Sequence, residues 1–297
     1  MLAPTTAGLP ATSLREAAAG AAAGAVGTVL GFPLDTVKSR LQATPHASSG
    51  VAVARELLRA EGARGFFRGL APPLLSMTAL NVLSFEGLKQ SRAALGLPPL
   101  APPEQRTWPA PGSVATRFLA GCAVTPLVTF VSTPFELLKL QAQLQGGPAG
   151  VVARAATITR THGVLALWHG GGVNLVRESL FLGAYFTLYE SGSGALLSVM
   201  PPPLAVPLAG GFAGALAWGL SLPFDAIKTR VQGQPLAQLG THAEVTARGA
   251  AAALLRAHGV AGLFTGLGPS ALRAFVVSGT RFAAYEAVMG LLRPPAE

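Results

Sequence analysis

Cysteine is nearly missing from this chain of 297 residues, with Cys122 the only one. A lone thiol excludes an intrachain disulfide and any metal site built from several cysteines. Lying in an apolar run, Cys122 reads as a small packing residue. Charge is scarce too: 12% of residues are Asp, Glu, Lys or Arg, about half the usual share of a soluble domain. Half of the chain is hydrophobic and the mean hydropathy is positive, so composition points into lipid. Acids are the scarcer sign, 13 against 22 bases, for a formal charge of +9. Such a surplus alone would admit nucleic acid or an anionic membrane surface as partner. No basic run or aromatic stacking platform accompanies it, and nucleic acid is set aside. Also absent are H-E-x-x-H, the P-loop glycine-lysine signature and a serine or cysteine nucleophile motif. Neither catalysis nor a cofactor is expected. The first residues carry no arginine-rich amphipathic pattern and no cleavable apolar stretch, so no removable targeting peptide is expected.

What is present is written three times. Pro33-Leu34-Asp35-Thr36-Val37-Lys38-Ser39-Arg40-Leu41-Gln42 returns as Pro134-Phe135-Glu136-Leu137-Leu138-Lys139-Leu140-Gln141-Ala142-Gln143. It returns again as Pro223-Phe224-Asp225-Ala226-Ile227-Lys228-Thr229-Arg230-Val231-Gln232. Each copy closes an apolar run long enough to cross a bilayer, over about 14–42, 114–145 and 203–233. Gly20 with Gly24, and Gly210 with Gly214, have the small-xxx-small spacing that lets membrane helices approach closely; Gly121 with Thr125 is a weaker version. A single acid and base three apart on a helix is commonplace; three copies in matching register are not. A proline inside a helix removes one backbone bond and kinks the axis. Charges beside such a kink are costly at membrane depth and are functional by default. Three kinked helices with an acid and a base apiece can close a ring from repeat to repeat. Desolvated ion pairs gain little net stability, so such a ring can open at modest cost.

At these residues the chain resembles the mitochondrial carrier family, over essentially its whole length beyond residues 1–13. The resemblance implies an all-α membrane protein of six transmembrane helices, in three pseudo-repeats of two, around a central cavity. The repeats would be 14–100, 101–200 and 201–297, joined in one transmembrane domain. It implies a matrix gate pairing Asp35 with Lys139, Glu136 with Lys228 and Asp225 with Lys38, braced underneath by Gln42, Gln143 and Gln232. It further implies a monomer in the mitochondrial inner membrane, with both termini facing the intermembrane space and cardiolipin as a lipid partner at matrix-side loops.

Each motif is followed by a polar connection with a short amphipathic stretch, at Val51–Arg59, Val151–Thr161 and Glu244–His258. The connections hold arginines such as Arg55, Arg59, Arg154 and Arg248, which by the positive-inside rule puts them in the matrix. A second echo follows: Glu61-Gly62 with Phe67-Arg68-Gly69, His162-Gly163 with Trp168-His169-Gly170, and His258-Gly259 with Phe264-Thr265-Gly266. The family pattern is acid-glycine, then aromatic, base, glycine. Histidine replaces the acid in the second and third repeats, and His169 and Thr265 replace the base, so those loop helices should be tied down less firmly.

The even-numbered spans are expected over about 70–95, 171–197 and 267–292. Counted from the opening glycine, the mid-helix place holds Ser76, Arg177 and Arg273, and Glu178 follows Arg177. Charge in mid-span needs water or a partner. One reading is a purely structural Arg177–Glu178 or Arg273–Glu178 pair. The other is a substrate site, with Arg273 for a carboxylate, Glu178 for a cationic group and Arg177 as orienter. Adjacent opposite charges suit a zwitterion or cationic amino acid better than a polyphosphate. The carnitine/acylcarnitine and basic amino-acid branch of the family has this pattern on its fourth and sixth helices.

The outer, cytoplasmic gate is incomplete. Repeat one has Leu88-Lys89-Gln90-Ser91-Arg92 where the family has aromatic, acid, two others and base; Tyr189-Glu190 and Tyr285-Glu286 keep only the first two. Arg92 with Glu286 is the expected pair, and Lys89 is placed near Glu190. A weaker outer gate would leave the resting state open to the cytosolic side. Arg281 has no assigned role beyond snorkelling. The sequence thus reads as a metabolite carrier exchanging a small zwitterionic or cationic solute by alternating access. Its rivals are a nucleotide or carboxylate carrier and a non-transporting scaffold.

Overall fold

The computed structural model describes residues 11–43, 49–101, 106–145, 150–235 and 246–291. Every regular element among them is helical. Six long segments run α1 (Ala11–Ala43), α3 (Ala71–Ala94), α4 with α5 (Val114–Ala123 and Thr125–Gln145), α7 (Gly171–Leu197), α8 (Pro202–Gln232) and α10 (Leu267–Leu291). Three short helices, α2 (Gly50–Gly65), α6 (Val151–His162) and α9 (Ala247–His258), follow the three motifs. They define a motif end of the molecule.

The third long segment differs from the single helix read over 114–145. It bends by 45° at Val124. The cause is Pro126, which has no N–H to give and whose ring would strike the carbonyl four residues back. That carbonyl belongs to Cys122, and the Thr125 hydroxyl takes it instead at 2.7 Å. The motif prolines Pro33, Pro134 and Pro223, in contrast, lie inside continuous helices.

Contacts run around a closed circuit: α3 against α4 and α5, these against α7, α7 along α8, α8 against α10, and α10 back along α1. Backbones approach closely where α4 crosses α7. A Cβ added at Gly121 would come within 2.7 Å of the Gly183 Cα, so only glycine fits there. Leu88, Val124, Val128, Leu182 and Phe186 pack into an apolar core beside this crossing.

Repeated glycines kink α2 near its end and terminate α6 and α9. Gly62, Gly163 and Gly259 have φ of +66°, +81° and +61°, a left-handed region where side chains are strained. This explains why the second echo keeps its glycine when its acid changes to histidine.

By length and apolarity alone, one described helix, Leu204–Gln232, qualifies as a membrane span, and the bent α4–α5 pair qualifies when joined. A second pair, Ala247–His258 with Val260–Arg273, turns by 114° and so doubles back. The other long helices carry polar residues on the face turned inward. On α7 these are Asn174, Arg177, Glu178 and Glu190, all buried.

Candidate functional site

Past each motif proline, the chain turns one acid and one base toward the centre. Lys139 Nζ lies 2.8 Å from Asp35 Oδ2 and Lys38 Nζ 2.6 Å from Asp225 Oδ2, while Lys228 Nζ bonds Glu136 Oε2. Each link joins one repeat to the next, and the three close a ring. The motif glutamines are fully buried beneath it. Gln42 reaches the ring itself, donating to Asp225 Oδ2 at 3.2 Å and accepting from the Thr229 hydroxyl at 2.9 Å. Gln143 instead donates to the Thr36 hydroxyl at 3.1 Å, and Gln232 to the His169 carbonyl at 3.1 Å. Their support to the ring passes through the backbone.

A further tier, not anticipated from the sequence, lies seven residues after each proline. Arg40 Nε donates to the Gln143 carbonyl at 3.0 Å, Gln141 to the Gln232 carbonyl at 2.6 Å, and Arg230 Nε to the Gln42 carbonyl at 3.3 Å. Each donor caps the C-terminal end of the next repeat's odd helix, where carbonyls lack intrahelical partners and the dipole favours cations. The signal was the polar residue at the same place in all three copies.

The mid-helix arginines join this ring. Arg273 Nε is in ion-pair contact with Asp35 Oδ1. Arg177 faces three acids: Nη1 is 3.0 Å from Glu178 Oε1, Nε 3.5 Å from Asp225 Oδ1 and Nη2 3.7 Å from Glu136 Oε1. The Arg273–Glu178 pair considered above is not formed. Asp35, Lys139, Arg177, Trp218, Lys228 and Arg273 all line one cavity of about 210 Å³. Ser76 is not among its lining residues; it is buried, and its hydroxyl donates to the Pro73 carbonyl of its own helix at 3.4 Å. Glu178 is buried behind Arg177. The cluster holds five bases, Lys38, Lys139, Lys228, Arg177 and Arg273, against the acids Asp35, Glu136, Asp225 and Glu178. One positive charge is left over.

Sequence reasoning missed Trp218. Lys38 Nζ lies 4.2 Å and Arg177 Cζ 5.5 Å from the ring centroid, within cation–π range. Phe181 tilts against the same indole at 5.3 Å. The available hint was a tryptophan one and a half turns before Pro223, the one tryptophan of its span.

The opposite end requires a correction. Arg92 pairs with Glu190 in a fork of 2.8 and 3.1 Å, with the residues 2% and 4% exposed. Its Nε donates to the Pro98 carbonyl at 2.9 Å. Lys89 is not near Glu190: it faces outward and pairs with Glu86 at 3.8 Å. The face of α3 carrying Leu88 and Arg92 is buried, whereas Glu86 and Lys89 lie on the exposed face. Arg92 therefore meets the acid on α7, and its expected pairing with Glu286 lies outside the described residues. Tyr189 stacks on Tyr185 at 5.8 Å and lies 4.4 Å under Arg106. The side chains of Tyr285, Glu286 and Arg281 lie outside the described residues.

The family model for mitochondrial carrier proteins matches residues 10–96, 110–198 and 200–295. Among similar proteins is the mitochondrial arginine transporter BAC2 of Arabidopsis thaliana, 32% identical, with 94% of this chain and 91% of that protein aligned. Mouse solute carrier family 25 member 45 is 33% identical over 94% of this chain and 99% of its own length. The bovine mitochondrial basic amino acids transporter is 32% identical, covering 93% and 91%. Three matched segments, one per copy of the motif, and relatives aligned almost end to end lead to one assignment. The chain belongs to the mitochondrial carrier family.

Proposed function

We propose that this protein moves a small amino-acid or carnitine-type solute, zwitterionic or cationic, across the mitochondrial inner membrane by alternating access. One observation carries the reading: Arg273 and Arg177, suited to a substrate carboxylate, contact the acids of the ring. An arriving carboxylate and the ring acids compete for the same guanidinium groups, so binding loosens the ring. The substrate shifts the balance between states only through this difference in affinity. The surplus positive charge makes a carboxylate the required part of the substrate. Its cationic part would face the Trp218 ring, which favours cations, and would reach Glu178 only when Arg177 turns from it to the substrate carboxylate. Two of the relatives are named for arginine and for basic amino acids, which supports the substrate class.

On this reading Asp35, Lys38, Glu136, Lys139, Asp225 and Lys228 form the matrix gate, and Arg92 with Glu190 belongs to the cytoplasmic rim. Both termini face the intermembrane space, the motif end faces the matrix, and the protein works as a monomer with cardiolipin at its matrix loops. The test is uptake into proteoliposomes from a panel of basic and neutral amino acids, carnitine esters, dicarboxylates and nucleotides. Saturable exchange of an amino acid or carnitine ester is expected. Exchange of nucleotides or dicarboxylates alone, or of nothing, would refute it.

A further inference from the structure

In the first repeat one carboxylate holds the short helix at both sides. Glu61, just before left-handed Gly62, contacts Arg40 Nη2 through Oε1 and lies 2.6 Å from Arg68 Nη1 through Oε2. The third repeat keeps the arginine of the odd helix, Arg230, but has His258 in the place of the acid and Thr265 in that of the second base. Arg230 bonds the Gln42 carbonyl through Nε and forms no ion pair among the described residues. It borders a cavity of about 270 Å³ at the motif end, lined also by Gln42, His258, Gly262 and Thr265.

The second repeat offers no such place. Gln141 stands where the arginine would be, and its amide donates to the Gln232 and Gln234 carbonyls. Burial pushes the His169 imidazole below its ordinary pKa, so it remains neutral where repeat one has a base. Only the third repeat combines a cation, a missing acid and a cavity.

A half-buried guanidinium without a counter-charge is unfavourable, and its fork matches a carboxylate or phosphate in two-point contact. In repeat one the chain supplies that anion itself. We propose that the Arg230–His258–Thr265 cavity binds a phosphate-type oxyanion from solution, in the role that the Glu61 carboxylate fills in repeat one. Bound there, it ties α8 to the segment after α9. Because Arg230 also holds the Gln42 carbonyl and Gln42 bonds Asp225, the anion stiffens the closed motif end and slows its opening. It is an inhibitory site separate from the central cavity.

The experiment is thermal unfolding of the purified protein with inorganic phosphate titrated at constant ionic strength, since a ligand of the native state raises Tm. The native chain should show a saturable rise. His258→Glu, at an exposed position, should have a higher Tm without phosphate and no response to it; Arg230→Gln should also lose the response. Arg273→Ala, in the central cavity, should retain it. A full response in His258→Glu, loss in Arg273→Ala, or no saturable rise in the native chain would overturn the proposal. So would a rise with phosphatidylglycerol in mixed micelles but none with phosphate, which would assign the site to a lipid headgroup. The readout needs no transport, so failure here leaves the substrate reading untouched.

Discussion

Asp35 is shared between two bases: Oδ2 lies 2.8 Å from Lys139 Nζ, and Oδ1 contacts the guanidinium of Arg273. One carboxylate thereby serves both the inter-repeat ring and the arginine of α10, whose charge in an apolar span needs a partner. Arg177 bridges repeats in the same way, touching Glu136 of its own repeat and Asp225 of the third.

Removing Arg273 should therefore weaken both functions. Arg273→Ala is expected to lower uptake at least about tenfold, the equivalent of about 1.4 kcal/mol. Arg273→Lys should recover little, because a point charge cannot reproduce the planar fork. Initial rates in proteoliposomes check this; wild-type rates in either variant would remove Arg273 from the site.

The ring links should behave as pairs. Lys228→Ala leaves the half-buried Glu136 with only the longer contact to Arg177, a loss of about 1.5–3 kcal/mol for a hydrogen bond between charged groups. The swap Lys228→Glu with Glu136→Lys should recover most of the lost Tm. Thermal unfolding of single and double variants measures this, and strictly additive losses would exclude the link.

Gln141 is the neutral member of the tier whose other members are Arg40 and Arg230. Gln141→Leu keeps the volume but leaves the Gln232 and Gln234 carbonyls without this donor, at a cost of about 1–3 kcal/mol. A lower Tm together with faster substrate leak is expected; an unchanged Tm would mean that the tier carries no stability.

At the opposite end, a double-mutant cycle of Arg92→Ala and Glu190→Ala should give a coupling of about 0.5–3 kcal/mol. An additive cycle would remove this pair from the rim.

Much of the architecture is legible in the sequence because the motif repeats: three prolines with their acids and bases locate the odd helices, and the glycine echo locates the short ones. The bend at Val124 is not, since Pro126 sits in an apolar run and is judged there by hydropathy rather than by the carbonyl it would strike. The partner of Arg92 is not legible either. Alignment of the repeats places Arg92 opposite Glu286, whose side chain lies outside the described residues, whereas its fork with Glu190 depends on the rotation of α3 about its axis. In the cluster, charge in apolar spans marks Arg177 and Arg273, whereas their attachment to the ring acids depends on depth along the helices. Trp218 carries no charge and so gives no such mark.

The most direct test is the affinity of the purified protein for its carboxylate-bearing substrate, native against Asp35→Asn, by calorimetry. If ring acid and substrate compete for Arg273, removing the competitor's charge should tighten binding, by about tenfold for about 1.4 kcal/mol of relieved competition, even as gated exchange is lost. Unchanged or weaker binding in Asp35→Asn would contradict the account.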